Sequence, residues 1–106
     1  MYRQGRSYGN RYFVLHAFPR AASGELADGP RLGLSVSRKV GGAVERNVVK
    51  RLVREAFPQV SDAFPVDVDV VVVARPEARV LAERDGLAGV SSALRELAAK
   101  AAEGAR

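Results

Sequence analysis

The sequence predicts an α+β fold in which helices lie as a layer against a small sheet. Three observations point to it. Residues 31–37 (RLGLSVS) alternate strictly between apolar and small polar side chains. Residues 44–57 repeat their apolar side chains with a helical period. Residues 66–74 (VDVDVVVVA) form a valine run too short for a helix of that kind and rich in β-branched side chains. With one strand before these elements and one helix after them, the order reads β-β-α-β-α.

The first predicted strand covers residues 11–18 (RYFVLHAF). Phe13, Leu15 and Ala17 share one face, with Tyr12, Val14, His16 and Phe18 on the other. Pro19 and the run AASGELADGP then make a polar loop. In the second strand Leu32, Leu34 and Val36 point to a core, whereas Gly33, Ser35 and Ser37 leave the opposite face small and polar. Such a face is either solvated or a floor on which something lies.

Gly41 and Gly42 break the chain, and a helix is expected from Val44 to Phe57, ended by Pro58. At 100° per residue, Arg46, Asn47, Lys50, Arg51 and Arg54 span about 140° of its circumference. Val44, Val48, Val49, Leu52, Val53 and Ala56 fill the other side. Glu45, in the first turn, complements the helix dipole. The third strand turns Val68, Val70, Val72 and Ala74 inward, with Asp67 and Asp69 on the reverse. After a short polar segment behind Arg75 and Pro76, a final helix over residues 87–103 packs through Val90, Leu94, Leu97 and Ala98.

Charge is concentrated in one place. Residues 38–54 carry Arg38, Lys39, Arg46, Lys50, Arg51 and Arg54 against Glu45 alone, a local +5 that equals the formal net charge of all 106 residues. Solvated helix faces usually mix signs at i,i+4 spacing, but here like charges face each other at 46/50 and 50/54. Each such pair destabilises the helix by on the order of 0.2–0.5 kcal/mol. An external polyanion would offset that repulsion, and nucleic acid is the first candidate. A membrane-surface role is disfavoured, because the valine face is needed by the domain's own core.

Other chemistries find little support. The chain has no cysteine, which excludes disulfides, thiolate metal sites and cysteine nucleophiles, and suits a reducing cytoplasm. Its longest apolar run, Val70 to Ala74, is far below the roughly 20 residues a membrane span requires. His16 is the single histidine and has no carboxylate near it in sequence. Asp67 and Asp69 have the spacing of a metal pair but no third ligand. Ser35 and Ser37 lack an activating base, and the Gly41–Gly42 pair has neither Walker nor GxGxxG spacing.

The run RLGLSVSRKVGGAVERNVVKRLVREAF, residues 31–57, closely resembles the signature of the bacterial ribonuclease P protein component. That signature is a G-L-S-V-S-K-K strand end followed by G-N-A-V-x-R-N-R-x-K-R-x-x-R-E on a helix. Weaker agreement extends to Gly5–Ser7 and to Asn10, Arg11, Phe13, Val14 and Leu15 ahead of it, and to residues 70–76 behind it. Two positions depart from the pattern: Val48 replaces an arginine, and Gly42 replaces an asparagine.

The resemblance implies a small mixed sheet packed against helices, with an unusual left-handed strand-helix-strand crossover around the basic helix. It implies the protein subunit of a cytoplasmic ribonucleoprotein endoribonuclease that removes the 5′ leader of precursor tRNA. Hydrolysis would belong to the ribonuclease P RNA, with magnesium at the RNA active site rather than on a protein motif. Arg38, Lys39, Arg46, Asn47, Lys50, Arg51 and Arg54 would contact that RNA. Tyr2 and His16 would line a leader-binding cleft on the open sheet face, where unpaired bases stack on rings. The resemblance also places a helix ahead of the first strand. No counterpart precedes Met1, so the expectation is a single RNA-binding domain over residues 1–106 without that helix. A ribosomal or RNA-chaperone protein with a similar basic helix is the alternative. A DNA-binding role is not expected, since no helix-turn-helix spacing precedes the basic helix.

Overall fold

The structure, a computed structural model, describes residues 6–19, 31–64 and 68–104. Four strands, β1 (Arg6–Gly9), β2 (Phe13–Pro19), β3 (Arg31–Val36) and β4 (Val68–Ala74), form one mixed sheet in the order β1-β2-β4-β3. Helix α1 (Ala43–Val60) runs between β3 and β4, and α2 (Glu77–Gly104) follows β4. The fold class is the expected α+β. Strand β4 pairs antiparallel with β2 and parallel with β3, so β3-α1-β4 is a crossover between neighbouring strands.

The register sorts side chains onto two faces. Phe13, Leu15 and Ala17 of β2 stand opposite Ala74, Val72 and Val70, which in turn oppose Val36, Leu34 and Leu32. Phe13, Leu15, Val70 and Val72 are fully buried, together with Val49, Val53 and Val60 of α1 and Val90, Leu94 and Leu97 of α2. Each such side chain stabilises the fold by about 1.5–3 kcal/mol relative to exposure. Both helices therefore cover the same face of the sheet, and the alternation read from the sequence assigns that face correctly.

Four local departures have physical causes. Residues 6–9 form the edge strand β1, although their sequence RSYG has no apolar alternation. Pairing with β2 and a turn held by Asn10 create it: the Asn10 Oδ1 accepts from the Tyr12 and Phe13 amides at 3.0 and 2.9 Å. Helix α1 passes through Pro58 to Val60 instead of stopping before it. Burial of Phe57 and Val60, and the stacking of Phe57 on Phe64 with ring centroids 5.7 Å apart, carry it past the missing N–H. Val44 is 72% exposed, because the first turn of α1 projects beyond the core. Glu45 caps that turn, its Oε1 accepting from the Gly42 amide at 3.0 Å.

The fourth departure is the segment after Pro76, which is helical from Glu77 onward and buries Ala78, Leu81 and Ala82. Gly86, at φ 59° and ψ −143°, interrupts α2 and divides it into two arms. A Cβ there would meet open space. The requirement for glycine is thus one of backbone conformation alone.

Candidate nucleic-acid interface

Two surfaces stand apart from the core. The first is the outer face of α1. Arg51, Arg54 and Asn47 are exposed, and Arg46 and Lys50 are half-buried where their stems lie on the helix shoulder. Just ahead of the helix, buried Val40 anchors a turn closed by its amide donating to the Ser37 carbonyl at 3.1 Å. That anchor leaves Arg38 and Lys39 projecting into solvent. The seven residues singled out from sequence thus occupy one helix face and the turn that leads into it.

Among the described residues, no ion pair involves Arg38, Lys39, Arg46, Lys50, Arg51 or Arg54. The Nε of Arg46 is buried without a hydrogen-bond partner, an arrangement that costs about 1–3 kcal/mol when a donor is left unmet. Helix α2 engages the other flank of α1: the Ser91 hydroxyl donates to the Gln59 side chain, and Arg95 donates to the Gln59 carbonyl. Val48, where the resemblance leads one to expect an arginine, is half-buried and lines a cleft of about 120 Å³ beside Ala82. It serves packing between the helices.

The second surface is the sheet face away from the helices. Across it, Ser7, His16, Val71 and Gly33 stand in register, flanked by the row Gly9, Val14, Val73 and Ser35. His16 and Phe18 stack with centroids 6.3 Å apart and planes 20° from parallel, and Phe18 is 42% exposed. A Cβ on Gly33 would lie 3.3 Å from Val71 Cγ2, so glycine keeps the floor beside Val71 flat. Asp69 opposes Phe18 at one end of this face. His16 lies where the sequence placed it, whereas Tyr2 and Asp67 fall outside the described residues. Phe18 was not singled out from sequence as a contact residue. Its i,i+2 spacing from His16 was the available signal.

Among the described residues no three histidine, aspartate or glutamate side chains gather as metal ligands. No described helix is long and apolar enough to cross a membrane.

Among the described residues, an α+β domain thus sets a cationic helix face without ion pairs beside a sheet face carrying stacked rings. The family model for Ribonuclease P matches residues 1–101, and the chain belongs to that family. The Ribonuclease P protein component of Shouchella clausii is 45% identical over 85 residues, 80% of this chain and 66% of that protein. That of Corynebacterium diphtheriae is 40% identical over 97 residues, covering 90% and 82%. The solved RNase P protein from Thermotoga maritima aligns with a TM-score of 0.76 at 34% identity, over 91% of this chain and 83% of that one. An RNase P protein from Staphylococcus aureus gives a TM-score of 0.67 at 35% identity, over 88% and 77%. The chain spans 66% of the Shouchella clausii relative and 57% of the one from Desulfovibrio desulfuricans, less than two thirds of either.

Proposed function

We propose that this chain is the protein subunit of a cytoplasmic ribonuclease P, binding the ribonuclease P RNA and the 5′ leader of precursor tRNA. The reading rests on the family match over residues 1–101. The geometry supports it by supplying two separate surfaces for two kinds of contact. Arg38, Lys39, Arg46, Asn47, Lys50, Arg51 and Arg54 meet folded RNA through its phosphates, where guanidinium forks suit bidentate contact. His16 and Phe18 stack on unpaired leader bases, while the valine and glycine floor accepts any base without reading its edges. Tyr2, four residues ahead of β1, joins this leader contact by the same analogy.

In this reading the protein binds and orients, and hydrolysis belongs to the RNA with its magnesium ions. The test is reconstitution with the ribonuclease P RNA of the same organism at low magnesium. The expected result is faster leader removal when the protein is added. No stimulation would overturn the proposal.

A further inference from the structure

Asn10 bonds in two directions at once. Its Oδ1 closes the β1–β2 turn by accepting from the Tyr12 and Phe13 amides. Its Nδ2 reaches the second arm of α2, donating to the Ala93 carbonyl at 3.1 Å and to Glu96 Oε1 at 2.9 Å. The surrounding turn is held from several further points. Lys100 Nζ donates to the Gly9 carbonyl at 3.1 Å, and Arg75 Nη1 lies 3.4 Å from the Asn10 carbonyl. Arg84, from the first arm of α2, lines a surface cleft together with Tyr12. The break at Gly86 separates the second arm, which bonds this turn, from the first arm, which flanks it.

What the turn sets is the register of β1 on β2. Gly9 pairs with Val14 and Ser7 with His16, which places Ser7 beside His16 on the open sheet face. A slip of one residue would carry Tyr8 outward and Ser7 inward. Strand β1 has four residues and an exposed edge, so little of its own burial resists such a slip. The staple to α2 provides the resistance.

We infer that Asn10 is a positioning residue for the leader-binding face, coupling α2 to the β1–β2 hairpin that carries His16. The inference rests on the proposed function. The amide is the only neutral side chain type that can accept two turn amides and donate to a helix carbonyl and a carboxylate at the same time.

The experiment uses the reconstituted ribonucleoprotein and two precursor tRNAs, one with a long leader and one with a single leader nucleotide. Asn10→Asp keeps the oxygen that accepts both turn amides but removes the donor and sets a carboxylate against Glu96. It is expected to shrink the affinity advantage of the long leader by about five- to tenfold. Binding to the ribonuclease P RNA should stay within about twofold, since α1 is untouched. Adding Glu96→Gln supplies an amide donor to the introduced carboxylate and should restore most of the advantage. The single variant Glu96→Ala, which leaves the turn intact, should lose about two- to threefold.

An unchanged leader advantage in Asn10→Asp overturns the inference, as does a proportional loss of RNA binding or a failure of Glu96→Gln to rescue. If Asn10→Asp does not fold, Glu96→Ala decides, and an unchanged advantage there overturns it. A wild-type complex indifferent to leader length would instead sink the proposed leader contact itself.

Discussion

Helices α1 and α2 cover the same face of the sheet, and both carry four cations along their length. In α2 these are interleaved with five carboxylates, and Arg79 meets Glu83 at 3.3 Å while Arg84 meets Asp85 at 3.0 Å. The Asp85 carboxylate, and after it the Tyr12 hydroxyl, push the Arg84 guanidinium pKa further up. In α1 the outer face holds Arg46, Lys50, Arg51 and Arg54, with no ion pair among the described residues. The two helices share the sheet face they cover but differ in their charge patterns: α2 interleaves both signs, whereas the outer face of α1 from 46 to 54 carries one sign alone.

The strongest way to break this comparison is to remove charge from each helix in turn. Arg46→Ala with Lys50→Ala should weaken binding to the ribonuclease P RNA by about 2–3 kcal/mol, roughly one and a half to two decades in Kd. Arg79→Ala with Arg84→Ala should change it by less than about twofold. Equal losses from both pairs, measured by filter binding, would erase the distinction. In the same titrations, contacts from Lys39, Arg46, Lys50, Arg51 and Arg54 predict a slope of log affinity on log salt of about −3.5 to −4.5. The α1 double variant should lower its magnitude by about 1.4–1.8, and the α2 variant should leave it unchanged.

A smaller effect separates architecture from binding. Gly86→Ala forces a side chain into a backbone region reserved for glycine and should destabilise the fold by about 1–3 kcal/mol in urea titration. Affinity of the folded fraction for the RNA should not move. The smallest effect is the most pointed. Lys50→Gln relieves repulsion with Arg46 and Arg54, so it should raise the stability of the free protein by about 0.4–1 kcal/mol while weakening RNA binding. A variant that loses on both counts would show that α1's charges are not in conflict with one another.

The β3-α1-β4 unit was legible because its signals are local and dense: strict alternation, a helical valine stripe, a valine run. The cationic face followed from the same helical geometry. What escaped depends on distant partners. Strand β1 exists through Asn10 and β2, and nothing in RSYG announces it. The first arm of α2 buries mostly alanine, whose apolar signal is weak next to five charged neighbours. Pro58 reads as a stop, yet burial of Phe57 and Val60 outweighs one absent hydrogen bond. Val44 has the right spacing for the core but lies past its end. Phe18 was placed on the correct face without its stacking on His16 being foreseen.

The sheet order bears on how the chain is made. Strand β4 lies between β2 and β3, so neither has its interior neighbour until residue 74 has been synthesised. At about 5–20 residues per second, β3 waits some seconds after emerging from the ribosome before the sheet can close. Helix α1 is translated within that interval, with its valines uncovered and its cations already displayed. The order of the strands therefore exposes the nascent chain to aggregation, and it displays the basic segment before there is a folded domain to carry it.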